Sequence, residues 1–229
     1  MIKAIVAVDK DFGIGYQGNL LIPIRADLKR FKKLTVGNIL VYGSATMETY
    51  PRKAPLKDRL NIILSKTMRM RSLSSLASDR QIWEDPASFE EGIASLHQYF
   101  PSTCLLARSM EDLFSYLQIL QDHDLLTDVF IGGGATVYEE MLPYCVRVLF
   151  TVINRSFPAD KHFPKLFSMV EETPGSLGFQ DLAPGWEKIS EGPWEPIDPK
   201  NDPILAYKYY ELANTQVKAW PTSPDSSES

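Results

Sequence analysis

Asp27 is the only acid in the segment Ala26-Asp27-Leu28-Lys29-Arg30-Phe31-Lys32-Lys33-Leu34. Helical spacing places it on the face of Phe31 and Leu34, while Lys29, Lys32 and Lys33 turn largely to water. A carboxylate aimed at an apolar face needs something to meet it. Burial without a partner raises its pKa and penalises the fold, so the position calls for a hydrogen-bond partner or a donor-rich, cationic ligand. The simpler alternative is a first-turn Asp that complements the helix dipole. A second feature is Ile131-Gly132-Gly133-Gly134-Ala135-Thr136-Val137-Tyr138, which follows a strand and opens a helix. Glycines there let backbone approach a ligand closely, and the N–H groups of a new helical turn favour an anion. The run matches neither a Walker loop nor G-x-G-x-x-G, and a tight turn is its simpler alternative.

The elements that must position these residues show in the apolar pattern. Short β-branched runs predict strands over residues 2–8, 39–42, 60–64, 103–106 and 129–131. Helices are predicted over 26–34, 45–50 and 110–121, the last announced by Ser109 with Asp112 three residues on. Such alternation implies crossovers and a parallel sheet. After a strand over 146–153, two more over 186–190 and 204–212 are expected to pair antiparallel at one edge. Their connector, residues 191–203, is too proline-rich for a central strand. The fold class is therefore α/β, a mostly parallel central sheet with an antiparallel C-terminal edge hairpin and flanking helices. A single domain is expected over 1–212, with an insertion at about 68–101 that holds a Ser-rich part and an amphipathic helix over 86–99. Residues 213–229 are too polar to order themselves and are expected to form a disordered tail.

The 229 residues are 44% hydrophobic and 23% charged, ordinary for a soluble globule. A net charge of -5 with no basic block argues against nucleic acid, and no apolar run is long enough for a membrane span. Cys104 and Cys145 lie in apolar, strand-like surroundings that suit reduced thiols, so a cytoplasmic protein is expected; a monomer is expected as well. His97, His123 and His162 are scattered and predict no metal site.

Taken in order, these pieces resemble the dihydrofolate reductase family from Met1 to Leu212, apart from the insertion. Ile5-Val6-Ala7-Val8 resembles the family's first strand, Ile14-Gly15 the start of its mobile loop, and Ala26-Asp27-Leu28 with Phe31 its pterin-binding helix. Gly43 and Thr46 resemble the cofactor-binding turn, and Arg59 ahead of Asn61-Ile62-Ile63-Leu64-Ser65 the arginine and strand of the folate-tail site. Gly133 to Tyr138 keeps a Gly-Gly-x-x-Val-Tyr pattern, and Thr151 followed by Asp160-Lys161-His162-Phe163-Pro164 keeps both types and spacing.

The resemblance implies NADPH-dependent reduction of 7,8-dihydrofolate, with hydride passing to C6 and a proton to N5. Asp27 would hold the pterin 2-amino group and N3 and support protonation, with Thr151 orienting it. Ile5, Ala7, Leu28, Phe31, Tyr50, Leu56 and Ile131 would line the substrate slot. Arg59 would pair with the glutamate α-carboxylate, with Arg52 a second candidate near that tail. On the cofactor side, Ala7, Ile14, Gly15, Asn19, Leu20 and Ile131 would border the nicotinamide and ribose, and Tyr138 would lie near the ring or serve as a core aromatic. Gly43, Ser44, Ala45 and Thr46, with Gly132, Gly133, Gly134, Ala135, Thr136 and Val137, would surround the pyrophosphate. Leu64, Ser65, Lys66 and Arg108 fall where the adenosine 2′-phosphate is met, so NADPH is favoured over NADH. Antifolate inhibitors are expected to bind as well.

Three departures stand out. Leu20-Leu21-Ile22-Pro23 lacks the indole that helps position water in the family. Ser44-Ala45 lacks its usual basic residues, which predicts weaker NADPH binding. The glycine run is one residue longer, which leaves two Gly-Gly bonds for the family's cis form. A same-fold pyrimidine reductase of the riboflavin pathway, and a catalytically weak folate- or nucleotide-binding scaffold, are the alternative readings.

Overall fold

The computed structural model of the chain describes residues 1–69, 81–95, 103–173 and 176–221. Its strands are β1 (Ile2–Val8), β2 (Gly13–Tyr16), β3 (Asn19–Leu20), β4 (Ile39–Gly43), β5 (Leu60–Leu64), β6 (Gln81–Trp83), β7 (Thr103–Ala107) and β8 (Val129–Ile131). They continue with β9 (Arg147–Ile153), β10 (Lys161–His162), β11 (Ser168–Thr173), β12 (Ser176–Gln180), β13 (Trp186–Glu191), β14 (Glu195–Asp198) and β15 (Asp202–Asn214). The helices are α1 (Arg25–Thr35), α2 (Ser44–Met47), α3 (Pro86–Gly92), α4 (Met110–Asp122) and α5 (Ala135–Met141). The described residues group into two compact units, one from 1–33 and 131–217, the other from 34–130 and the segment after 217.

In the first unit β1 runs parallel to β9, and β15 runs antiparallel along the other side of β9. β13 and β14 both pair antiparallel with β15, so the expected C-terminal hairpin is present, and the Pro-rich connector supplies only a short flanking strand. β15 carries on to Asn214, whose N–H donates to the Val146 carbonyl at 3.0 Å. The register places Ala7 opposite Thr151 and Tyr209 opposite Thr151, so three side chains share one row. Beneath lies an aromatic core in which Phe150 meets Phe12, Phe163 and Phe167 edge-on, at 6.3, 5.2 and 5.2 Å between ring centres.

The hairpin of β11 and β12 falls between the strands expected over 146–153 and 186–190, where none is predicted. Its strand Ser168-Met169-Val170-Glu171-Glu172-Thr173 is mostly exposed and lacks an alternating apolar face, so no period-two signal announces it. Its anchor is tertiary, Phe179 stacking on Phe167 at 4.3 Å.

In the second unit β5 lies between β4 and β7, and β6 adds beyond β7, every pairing parallel. Both faces of these strands are covered, which explains their unbroken apolar runs. β6 comes from the inserted region and is tied down by Trp83 against Phe89 at 5.3 Å and Phe89 against Tyr116 at 5.5 Å. α2 ends at Met47 rather than at Tyr50, because Pro51 drives Tyr50 into an extended backbone, φ -78 and ψ 158. α3 starts as expected, with Asp85 accepting the Ser88 N–H at 2.8 Å, and a short 3-10 turn over Ile93–Ser95 follows it. The remainder of that predicted helix, with Leu96 and His97, lies outside the described residues, as does the Ser-rich part from 70 to 80. No helix among the described residues is long and apolar enough to cross a membrane.

Candidate active site

α1 delivers Asp27 half-buried, together with Phe31 and Leu34, while Lys29, Lys32 and Lys33 are exposed as the helical period requires. The Thr151 hydroxyl, from the middle of β9 and only 1% exposed, donates to Asp27 Oδ1 at 2.5 Å. Burial pushes the Asp27 carboxyl above its ordinary 3.8, and the Thr151 hydrogen bond and the nearby Arg30 charge pull against that rise. The helix-dipole alternative does not account for a carboxylate that reaches a hydroxyl on another element. Arg30, one turn further along α1, donates to Thr151 Oγ1 at 3.5 Å and lies over the Tyr209 ring, 4.3 Å from its centre.

The same unit holds the other expected residues of the strand ends. Ile5 is buried and Ala7 half-buried on β1, while Ile14 and Gly15 are half-buried on β2. Asn19 and Leu20 are exposed on β3, and Leu28 projects outward from α1 with 47% of its surface exposed. Ile131 is fully buried at the end of β8 and leads into the glycine run. The Gly133–Gly134 peptide is cis, which settles which glycine bond takes that form. Gly133 has φ +103, and a Cβ there would meet the Tyr138 ring at 3.0 Å. Gly134 caps α5 with no capping side chain, so the first N–H groups of α5 have no side-chain acceptor there. Ala135 is half-buried, Thr136 exposed and Val137 buried. Tyr138 is also buried, and its hydroxyl donates to the Ile5 carbonyl at 2.8 Å, which ties α5 to β1.

The second unit contributes its own set. Gly43 caps α2, again with no capping side chain, and Ser44 and Thr46 are half-buried beside an exposed Ala45. The starts of α3 and α4, by contrast, are capped by Asp85 and Ser109. Arg59 is 5% exposed, its Nε donating to Thr35 Oγ1 at 2.8 Å and its Nη1 to the Lys57 carbonyl at 2.5 Å. A guanidinium clamped this way is not a solvated surface arginine. Arg52, by contrast, is exposed with φ +62. The Tyr50 hydroxyl is buried without a hydrogen-bond partner, and burial raises its pKa while Arg59 opposes that rise. Leu56 is half-buried, and its N–H donates to Asn61 Oδ1 at 3.1 Å. Leu64 and Ser65 are half-buried at the end of β5, with Lys66 exposed beyond them. Arg108 reaches the Ser65 carbonyl at 3.2 Å, the Met68 carbonyl, and Glu84 of the inserted region at 3.2 Å.

The family model for dihydrofolate reductase matches residues 1–91 and 93–176. The chain belongs to the dihydrofolate reductase family. Dihydrofolate reductase of Drosophila melanogaster is 32% identical over 191 residues, which span 77% of this chain and 88% of that protein. The Bacillus subtilis dihydrofolate reductase is 28% identical over 165 residues, 72% of this chain and 76% of that protein. Among solved structures, a dihydrofolate reductase from Enterococcus faecalis complexed with NADP(H) and RAB-propyl superposes with a TM-score of 0.59 at 24% identity, covering 93% of this chain and 96% of that one. That likeness bears on the fold, which is the expected α/β class. Family membership makes the chain an oxidoreductase.

Sequence reasoning passed over several residues that complete these sites. Arg30 is three residues from Asp27 on one helix, a spacing that predicts side-chain proximity, yet it was grouped with no site. Tyr209 shares a row with Thr151 only because of strand register, which no local pattern encodes. Asn61 is fully buried, donating to the Leu56 and Arg59 carbonyls at 2.9 Å each and accepting from Tyr42, so it shapes the loop that carries Arg59. Asp9, 1% exposed, accepts the N–H groups of Asp11, Gly13 and Phe157 at 2.8–2.9 Å and so fixes the entry to β2.

Proposed function

We propose that this chain reduces 7,8-dihydrofolate to 5,6,7,8-tetrahydrofolate with NADPH, with Asp27 as the acid that grips the pterin. The observation that carries this reading is the sheltered Asp27 carboxylate held by Thr151. Among the described residues its second oxygen accepts no hydrogen bond, and a carboxylate so placed matches the paired N–H donors of a 2-amino-pyrimidinone edge. Because burial favours its protonated form, Asp27 also supplies the acidity that protonation of N5 requires. Phe31 beside it offers an apolar wall for a flat ring. In the second unit, Arg59, held by Thr35 and Lys57, and the unpartnered Tyr50 hydroxyl suit the carboxylate of the glutamate tail.

The cofactor fits the residues present. In the first unit the glycine-capped start of α5 offers backbone N–H groups to a phosphate; in the second unit the start of α2 does the same, and Ser65 and Lys66 offer a hydroxyl and a cation for a 2′-phosphate, with Arg108, already paired with Glu84, beside Ser65. NADPH supplies the hydride when bound. The reading includes a monomer and a cytoplasmic location, the latter suited by the buried Cys145 thiol, which burial pushes up to about 12.

Purified protein is expected to oxidise NADPH only when dihydrofolate is added, faster than it oxidises NADH. NADPH oxidation that is indifferent to dihydrofolate would overturn the proposal.

A further inference from the structure

Arg30 is a cation aimed at the acid of the site, a placement that neither the dipole of α1 nor a solvated surface role explains. Its guanidinium lies over the Tyr209 ring of β15, 4.3 Å from its centre, and reaches the same Thr151 hydroxyl that holds Asp27. Because both groups touch one oxygen, their charges lie within the roughly 4–6 Å over which an opposite charge lowers a carboxyl pKa by ~1 to 3 units. We propose that Arg30 is a positioning residue whose charge biases Asp27 toward its ionised form and weighs against ligands that bind Asp27 as preformed cations. The inference rests on Asp27 being the pterin acid.

Burial disfavours both charges, raising the Asp27 carboxyl and lowering the Arg30 guanidinium, and their mutual attraction opposes each shift. The surrounding groups hold Arg30 in place. Glu211 of β15 adds a favourable charge but is itself paired with Arg147 of β9 at 2.7 Å. The Tyr209 hydroxyl is raised chiefly by burial, so it stays neutral and presents its ring face. Tyr207, the next inward-facing residue of β15, donates to Glu195 of β14 at 2.5 Å, and that carboxylate acts on Tyr209. Ile22 and Tyr209 both pack against the apolar cluster of Ile24, Ile153, Leu205 and Tyr207. Arg30 is therefore packed from one side and charged toward the acid on the other.

The test compares the intact protein with Arg30→Gln, Arg30→Lys and Arg30→Met, whose unbranched chain still covers the Tyr209 ring. Two readouts are followed against pH: the single-turnover rate of dihydrofolate reduction, and binding of a 2,4-diaminopyrimidine by fluorescence quenching. Reduction consumes a proton, so its rate falls as pH rises through the acid's midpoint. Removing the neighbouring positive charge is expected to move that midpoint up by about 0.5 to 1 pH unit in Arg30→Gln and Arg30→Met, with Arg30→Lys close to the parent. The protonated diaminopyrimidine is expected to bind about 3- to 10-fold tighter to both neutral variants. Coincident midpoints and affinities would overturn the proposal, as would an Arg30→Lys shift as large as that of Arg30→Gln, since shape and not charge would then be responsible. Diaminopyrimidine binding needs no turnover, so a chain that binds the probe with the predicted charge dependence but reduces no dihydrofolate would fault the catalytic reading and leave this inference standing.

Discussion

Replacing Thr151 by Val exchanges its hydroxyl for a methyl group while keeping the side-chain shape, and the structure gives the expected consequence. The main loss is the 2.5 Å donation to Asp27 Oδ1, together with the 3.5 Å contact that the hydroxyl accepts from Arg30, and Val can replace neither. A hydrogen bond to a charged group contributes about 1.5–3 kcal/mol. Asp27 is only half-buried, so water recovers part of this, and a figure just under that range, ~1.4 kcal/mol, is appropriate. That energy is one pH unit or a factor of ten. Loss of a donor to the ionised form moves the acid further up, so the midpoint of the rate-against-pH curve should rise by about one unit. The KM for dihydrofolate at pH 7.5 should rise roughly tenfold, because the carboxylate is no longer aligned. Single-turnover reduction at saturating NADPH, followed from pH 5 to 9, reads the first quantity, and steady-state kinetics the second. A midpoint that stays put or moves down, with unchanged KM, would remove Thr151 from any role in holding Asp27.

Asp27→Asn should abolish most turnover at neutral pH yet stabilise the fold by about 0.5–2 kcal/mol in urea unfolding. The sign follows from the raised carboxyl: the folded chain binds the proton more readily than the unfolded one, so stability falls as pH rises from 3.8 through the folded value, and the loss is complete above that value. The gain should accordingly vanish below about pH 3.8; an Asn variant that is less stable at pH 7 would contradict the account. Arg59→Lys should raise KM for dihydrofolate by roughly 10- to 100-fold through loss of a paired, charge-assisted contact, with little effect on a reduced pterin that lacks the glutamate tail. Equal losses on both substrates would place Arg59 elsewhere than the tail. Gly133→Ala should lower the urea midpoint by the equivalent of about 1–3 kcal/mol and weaken NADPH binding, since φ +103 and a 3.0 Å approach to Tyr138 leave no room for a methyl group. Wild-type stability and NADPH affinity in that variant would refute the proposed close fit.

Much of this protein is legible in the chain alone because its strands are covered on both faces. Residues 2–8, 60–64 and 129–131 are predicted and observed with the same bounds, since a strand in a two-layered environment must be apolar throughout. Asp27 is legible for the opposite reason, a charge where the helical period wants an apolar group. The short strands are not legible: β11 is mostly exposed, β12 buries little beyond Leu177, and β6 has only three residues and depends on Trp83 meeting Phe89. The second shell of the acid is equally hidden. Thr151 and Tyr209 are 58 residues apart in sequence (209 minus 151) and become neighbours only through the β9–β15 register, and the stack of Arg30 on Tyr209 exists only once that register is set. The sequence by itself determined which groups could do chemistry, because residue type and local period are covalent facts. Their protonation, their partners and their reach were decided by tertiary structure, because those depend on distances that long-range strand pairing alone creates.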